Sequence, residues 1–373
     1  MQIQKARIRR FGATTSWFDL APHLTLVNFP DRPLARLFLE TLETINPTHN
    51  ISIADPFHLE PREETVNGHT RRIQPDKRTV AMAIFNSTTE LVVELAKLSP
   101  LLFETDRIEV GRRLDYSRWL NFIELASSSR WSEASTDLEA LAAMSPFPLN
   151  DTLRSLLEKT QQTERITGSL ADCLLAALQA HPRSDGTTEI ITRLRETGLR
   201  SHYFKQARKI VKRRLPHSLR LGGPQDRKKL LCSIHCTYLE RHQTADAQPF
   251  LASLNKALSE QSSTDQIYVT ASPENVQLHG QKAVLTSFPS MDKKRPVPPE
   301  EILLEARLGS AFADTLGRFR PIFLLDGFSM TATDINRLME RDITGCQWLC
   351  AIDENQPAGI QKSHAYNSWE LFL

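Results

Sequence analysis

Residues 24–42, LTLVNFPDRPLARLFLETL, decide the fold class of this chain. The segment starts with a short apolar run, passes through the pair Pro30 and Asp31, and continues with apolar residues at helical spacing. Such a pattern predicts a buried strand, a turn and then an amphipathic helix. A strand followed by a helix is the repeating unit of α/β proteins.

The same layout belongs to a phosphate-binding loop, GxxxxGK[ST], but the residues that would hold a phosphate are missing. In such a loop, glycines let backbone N–H groups surround the phosphates, a lysine neutralises them, and a hydroxyl holds Mg²⁺. In an alignment without gaps, Phe29 and Leu34 take the two glycine positions. Ala35 takes the lysine position and Arg36 the hydroxyl position. The chain therefore has the framework of the loop without its ligands.

Three further segments follow in the order found in SMC and RecF ATPases. Residues 1–12, MQIQKARIRRFG, resemble the opening strand of these proteins. Residues 320–339, RPIFLLDGFSMTATDINRLM, resemble a Walker B strand and the loop after it, and residues 346–353 resemble the next core strand. The resemblance covers about the first 130 and the last 110 residues and depends on the order and spacing of the parts. It implies a P-loop NTPase-like head of the ABC/RecF type.

The resemblance also implies that catalytic groups have been lost. Asp326 stands where the family has its Mg²⁺-coordinating aspartate, but Gly327 replaces the glutamate that orients the attacking water. Asp353 falls where a histidine contacts the γ-phosphate, and an aspartate there would repel the nucleotide. Residues 295–301, RPVPPEE, stand where the family has a glycine-rich signature. We therefore expect a head that does not hydrolyse ATP.

The middle of the chain differs from its two ends because apolar residues recur there at intervals of three and four. This spacing predicts helices over residues 131–144, 151–163, 170–180, 188–197, 202–214 and 226–241. Since no long heptad array is present, the insert favours the RecF-like type over the SMC-like type. We predict an α/β head built from residues 1–131 and 261–373, with an inserted, mostly helical lobe over residues 132–260.

Positive charge is concentrated in one part of this insert, although the net charge of the chain is only +2. A cationic stripe at helical spacing can neutralise the phosphates of a nucleic-acid backbone without reading its sequence. The alternatives are a solvated helix face and a docking surface for an acidic partner subunit. The predicted nucleic-acid-binding residues are Arg200, Lys205, Arg208, Lys209, Lys212, Arg213, Arg214 and Arg220.

The leading functional hypothesis is a non-catalytic, ATPase-like scaffold subunit of a DNA-repair or anti-phage defence assembly. Such a subunit would need no cofactor, and it would contact DNA, a partner protein or a second copy of itself. In a second hypothesis the chain is an unorthodox ATPase, in which Asp326 holds Mg²⁺ of Mg²⁺–ATP and Arg32 or Arg36 replaces the lysine. In a third, it is an interaction module unrelated to ATPases.

The composition agrees with a cytoplasmic protein. The 373 residues are enough for two or more domains, and no apolar run reaches the length of a membrane span. Five cysteines, an odd number, do not indicate a disulfide framework. We expect neither a bound metal nor a membrane partner.

Overall fold

The computed structural model describes most of the chain. The described residues are 1–10, 13–54, 56–57, 63–66, 69–72, 77–98, 105–160, 165–166, 168–223, 225–261, 267–280, 283–285, 297–340, 346–355 and 365–367. Residues 295 and 296 of the segment at the expected signature position lie outside the described residues.

Strands and helices alternate at both ends of the chain, and helices dominate its middle. The strands are β1 (Gln2–Arg10), β2 (Ala13–Thr14), β3 (Phe18–Asp19), β4 (Leu24–Phe29), β5 (Glu63–Val66), β6 (His69–Arg72), β7 (Thr79–Asn86), β8 (Arg107–Arg113), β9 (Arg118–Phe122), β10 (Ser129–Arg130), β11 (Arg165–Ile166), β12 (Ser218–Leu221), β13 (Tyr268–Ala271), β14 (Val276–Gly280), β15 (Ala283–Leu285), β16 (Ile322–Asp326), β17 (Gln347–Asp353) and β18 (Ala365–Asn367). The helices are α1 (Arg32–Glu43), α2 (Ile51–Ala54), α3 (Thr89–Ala96), α4 (Trp131–Met144), α5 (Asp151–Thr160), α6 (Gly168–Ala180), α7 (Asp185–Gly198), α8 (Arg200–Arg214), α9 (Asp226–His242), α10 (Ala247–Gln261), α11 (Pro299–Thr315) and α12 (Ala332–Glu340). None of the described helices is both long and apolar enough to cross a membrane.

A parallel sheet with the order β12-β16-β17-β4-β18 brings together strands from both ends of the chain. β16 is buried along its whole length, as expected for a strand covered on both faces. On one face, the rings of Phe323 and Trp348 pack 4.6 Å apart in a core shared with α9, α10 and α11. The carboxyl ends of β4 and β16 lie at one edge of this sheet and the starts of β12 and β16 lie at the other.

Helix α1 covers the other face of the parallel sheet and also contacts a second, antiparallel sheet, in which β1 pairs with β7. Its inward residues Ala35, Phe38 and Leu39 are fully buried. The side chain of Gln347 joins the two sheets because its amide accepts from Ile3 N and donates to Ile3 O, each at 2.8 Å. The strand–turn–helix of residues 24–42 is therefore held at the centre of the head.

This architecture confirms the predicted α/β fold class, with a parallel sheet that combines strands from both ends of the chain. The strand predicted at the start of residues 24–42, the Walker B-like strand within residues 320–339 and the strand over residues 346–353 correspond to β4, β16 and β17. The six predicted helices correspond to α4 to α9, with ends that differ by a few residues.

The chain divides into two compact units whose boundaries differ from the predicted ones. The first comprises Met1–Asn86, Glu109–Trp119 and Arg214–Leu373, and the second comprises Ser87–Ile108 and Leu120–Arg213. Residues 214–260, predicted as part of the lobe, lie in the first unit because β12 pairs in parallel with β16 and α9 packs on the same sheet. The second unit has its own apolar core, which includes Leu138, Leu174 and Leu194.

Candidate functional site

The turn after β4 is too short to surround a phosphate. Only Pro30 and Asp31 separate the end of β4 from the start of α1. Asp31 is the N-cap of α1, and its Oδ1 accepts the backbone N–H of Leu34 at 2.8 Å. A carboxylate of the chain itself therefore occupies the anion-binding end of the helix.

Two of the positions that would contact a nucleotide are filled by the apolar core. Phe29, at the first glycine position, is 1% exposed, and its ring lies 5.0 Å from that of Phe38. Ala35, at the lysine position, is fully buried on the inner side of α1. A lysine at residue 35 would point into the protein and away from the edge of the sheet.

Asp326 ends β16 beside this turn, and two arginines of α1 bind its carboxylate. Arg32 and Arg36 donate from Nε to the Oδ2 atom of Asp326 at 3.0 and 3.2 Å. The Oδ1 atom accepts the backbone N–H of Phe328 at 3.3 Å. Arg32 also donates from Nη2 to Ser329 Oγ at 3.2 Å. The side chain of Asp326 is only 7% exposed, so two guanidinium groups take the place that a metal ion would need.

Gly327 has no room for the missing glutamate. A Cβ atom at this position would lie 2.6 Å from Cys350 Sγ and 2.9 Å from the carbonyl oxygen of Ala351. The backbone N–H of Gly327 donates to that same carbonyl at 2.8 Å, which holds the residue against β17. Any side chain here would force β16 and β17 apart.

Asp353, at the expected histidine position, stabilises a local turn. Its Oδ1 atom accepts from the backbone N–H and the side-chain Nδ2 of Asn355, at 2.9 and 3.1 Å. The next residue, Glu354, donates its backbone N–H to Phe29 O at 3.1 Å. This last bond ties the end of β17 to the end of β4, at the edge where a nucleotide would enter.

A small cleft of about 170 Å³ remains beside Asp326, below the usual 300–1,000 Å³ of ligand sites. It is lined by Arg36, Leu39, Glu40, Arg220, Gly223, Gln225, Asp226 and Asp326. Since three carboxylates line it and both arginines are engaged by acids, a triphosphate would meet repulsion there. The residues present therefore do not fit Mg²⁺–ATP.

Arg220 belongs to this acidic surrounding and not to the basic helix with which the sequence grouped it. Its guanidinium donates to Asp226 Oδ1 and Glu40 Oε1, both at 2.8 Å, and its side chain is 13% exposed. Burial alone would lower the pKa of Arg220, but the neighbouring carboxylates raise it. Nearby, burial raises the pKa of Glu43, although Lys229, 3.2 Å away, opposes that shift. Arg220 is thus a partly buried ion-pair residue on β12.

The other predicted nucleic-acid contacts lie on α8, where they differ in exposure. Lys205, Lys209, Lys212 and Arg213 are exposed, opposite the buried face formed by Phe204, Ala207 and Val211. Two of the remaining arginines have partners within the second unit.

Arg208 is half-buried and donates from Nε to Leu120 O at 3.0 Å. Arg200 lies 3.8 Å from Glu133. Arg214, the last residue of α8, lies over the ring of Phe319, at 4.6 Å from its centroid, and both belong to the first unit. The structure therefore separates four exposed cations, of which Lys205 lies 3.6 Å from Asp172 Oδ2, from three less exposed arginines.

A scan against protein-family models and a search of curated proteins found no match. A search of solved structures found several. The similar structures include RecF and SMC heads. RecF with ATPrS, a recombination mediator protein of the RecFOR pathway, is 9% identical with a TM-score of 0.35, and covers 100% of this chain and 98% of its own.

Two SMC heads are similar over most of their length. One, bound to the C-winged helix domain of ScpA, is 10% identical with a TM-score of 0.31 over 95% of this chain and 91% of its own. The other is bound to the C-terminal domain of ScpA derived from Pyrococcus furiosus, and is 9% identical with a TM-score of 0.31 over 95% and 90%. These values are too low for the nucleotide or partner of any of these proteins to be carried over to this chain.

Proposed function

We propose that this chain is a non-catalytic, RecF/SMC-like head that serves as a scaffold and contacts nucleic acid without using ATP. The observation that carries the proposal is the carboxylate of Asp326, whose Oδ2 atom accepts from both Arg32 and Arg36. In an active site of this type the same carboxylate would be available to a metal ion. Here the ion pairs hold the end of β16 against the start of α1 without a ligand.

Several independent features support the same conclusion. The turn holds two residues, the lysine position is buried, and Gly327 cannot accept a side chain. Restoring one group would leave the others absent, because each is blocked by a different part of the core. The head therefore keeps the architecture of an ATPase as a rigid support.

The exposed cations of α8 are the proposed contact to nucleic acid. Lys205, Lys209, Lys212 and Arg213 project from one side of the helix, and the packed side lies opposite. Lysines and arginines in this arrangement bind phosphates and not base edges, so the binding should be independent of sequence and weaken steeply with salt. We place the scaffold in a DNA-repair or defence assembly, where it would pair with a partner protein or a second copy.

Binding of a labelled DNA duplex, measured by fluorescence anisotropy with and without Mg²⁺–ATP, tests this function. If the chain is a scaffold, the dissociation constant for the duplex should be the same with and without Mg²⁺–ATP. The same value is expected for Asp326→Ala, once melting curves show that this variant is folded. A duplex affinity that rises with Mg²⁺–ATP in the unchanged chain, and no longer does so in Asp326→Ala, would favour the unorthodox ATPase.

A further inference from the structure

Three arginines converge at the edge of the parallel sheet opposite Asp326. Arg112 lies near the end of β8, Arg118 is the first residue of β9, and Arg318 precedes β16. Their side chains reach residues 44–46, just after α1, and residue 215, just before β12. Since β12 and β16 start here and end beside Asp326, this cluster is separate from the closed nucleotide site.

Arg112 is held by the C-terminal end of α1. It donates from Nε to Thr44 O at 2.6 Å and from Nη2 to Ile45 O at 3.4 Å, and it is 7% exposed. Carbonyl oxygens at a helix C-terminus attract a cation and offset part of its burial. They are neutral groups, however, so the positive charge of Arg112 remains.

A single asparagine connects the other two arginines. Arg118 donates from Nη1 to Asn46 Oδ1, and Asn46 donates from Nδ2 to Leu215 O at 3.0 Å. Arg318 donates from Nη1 to the same Leu215 carbonyl at 3.4 Å. The Asn46 side chain and the Leu215 carbonyl therefore link two half-buried guanidinium groups.

The surroundings do not neutralise the first two of these charges. Among the residues that the structure describes, no carboxylate forms an ion pair with Arg112 or Arg118, whose partners are carbonyl and amide oxygens. Burial lowers the pKa of Arg112 to about 10, and Arg118 adds to the effect. Burial and then Arg318 lower the pKa of Arg118 to about 10. Neighbouring guanidinium groups that repel each other are stabilised when an anion joins them.

We propose that Arg112, Arg118 and Arg318 form an anion site that takes a phosphate group, supplied by the backbone of a nucleic acid. Guanidinium groups bind phosphate through paired N–H donors, and they lose less hydration than lysine when partly buried. Arg318 and Arg118 are the half-exposed members that reach the ligand, and buried Arg112 supplies charge behind them. The site is a second contact to nucleic acid, distinct from α8.

Arg318→Ala in the full chain tests the site, and Arg320→Ala is the matched control because Arg320 is an exposed arginine two residues away. Duplex binding is measured by anisotropy over a range of salt concentrations without nucleotide, so the outcome does not depend on the closed ATP site. Arg318→Ala should reduce the slope of log affinity against log salt by about 1. Arg320→Ala should leave the slope unchanged. Arg318→Lys should retain the slope with weaker binding, because it keeps the charge and loses the paired donors.

A thermal-shift titration with inorganic pyrophosphate separates the two sources of phosphate and confirms that each variant folds. A reduced slope of log duplex affinity against log salt, together with a smaller thermal shift with pyrophosphate, in Arg318→Ala supports the proposal. A reduced pyrophosphate shift with an unchanged duplex slope would overturn the assignment to nucleic acid, since the site would then take a free phosphate. Identical behaviour of Arg318→Ala and the unchanged chain in both titrations would overturn the site itself.

Discussion

Arg32 donates a hydrogen bond to Asp326 over 3.0 Å, although the two residues are 294 positions apart in the chain. The bond joins the first turn of α1 to the end of β16, the two elements that hold Mg²⁺ and phosphate in a P-loop ATPase. Arg36 adds a second bond to the same oxygen at 3.2 Å. The guanidinium groups of Arg32 and Arg36 thus supply the positive charge that a metal ion would supply to Asp326, and these ion pairs stabilise the head.

Asp326→Ala should lower the free energy of unfolding by about 1–3 kcal/mol, because it removes hydrogen bonds to charged groups. Water can solvate Arg32 and Arg36, whose side chains are 39% and 51% exposed, so the protein should remain folded. Urea denaturation measures the change. Asp353→Ala, at an aspartate that ends β17 and holds only a local turn, should cost less. Equal stability of Asp326→Ala and the unchanged chain would show that these ion pairs do not support the head.

Gly327→Ala should destabilise the protein by about 1–3 kcal/mol through overpacking. Its Cβ would lie 2.6 Å from Cys350 Sγ, in a fully buried part of the sheet. Gly186→Ala is the control, since the nearest atom to its Cβ would be 3.8 Å away and alanine favours the helix there. Denaturation curves for both variants test the comparison. A Gly327→Ala protein as stable as Gly186→Ala would mean that a side chain fits at the glutamate position.

Lys209→Glu should weaken duplex binding, and the slope of log affinity against log salt should fall by about 0.9 for each phosphate that the protein no longer neutralises. Lys256→Glu makes the same change of charge at an exposed residue of α10 and should leave the slope unaltered. Anisotropy at several salt concentrations distinguishes the two. If both variants weaken binding equally, the effect comes from net charge and α8 does not bind the duplex.

Stability should fall as the pH rises from about 4.5 to about 7 because of Glu305. Burial raises the pKa of this carboxyl group to about 7, although Arg227, at 2.8 Å, opposes the shift. Within this range the folded protein therefore holds a proton that the unfolded chain has released, and ionisation weakens the fold, by about 3 kcal/mol in total.

Urea denaturation between about pH 4 and about pH 8, a range that spans the pKa of the group in the unfolded and in the folded protein, measures this contribution. Glu305→Gln should remove it, since an amide does not ionise. Glu301→Gln is the control because Glu301 binds the same arginine at 2.6 Å but is 41% exposed. A pH dependence that persists in Glu305→Gln would assign it to another group.

Sequence predicted the strands β4, β16 and β17 well because each is an apolar run bounded by turn residues. It did not place β12 in the sheet, since the four residues SLRL lie among helices and carry an arginine. That strand is fixed by its parallel register with β16, from Ser218 and Ile322 to Leu221 and Leu325. Two strands that pair although they are more than a hundred residues apart leave no local pattern in the sequence.

The charges of the candidate site show the same limit. Arg220 belongs to a basic run in the sequence, yet its partner Glu40 is 180 residues away. The motif order places Asp326, Arg32 and Arg36 beside one site, but their mutual ion pairs follow from the short turn and the early start of α1. The cluster of Arg112, Arg118 and Arg318 has no sequence signal, because Arg112 and Arg118 come from the neighbouring strands β8 and β9 and Arg318 comes from a distant segment.

Calorimetric titration of the full chain with Mg²⁺–ATP, with a thermal-shift measurement on the same sample, tests whether the nucleotide site is closed. A closed site predicts no saturable heat and no rise in melting temperature at millimolar nucleotide. Saturable binding together with nucleotide-dependent stabilisation, both abolished in a folded Asp326→Ala variant, would contradict the account. The ion pairs of Arg32 and Arg36 would then have to open to admit the nucleotide.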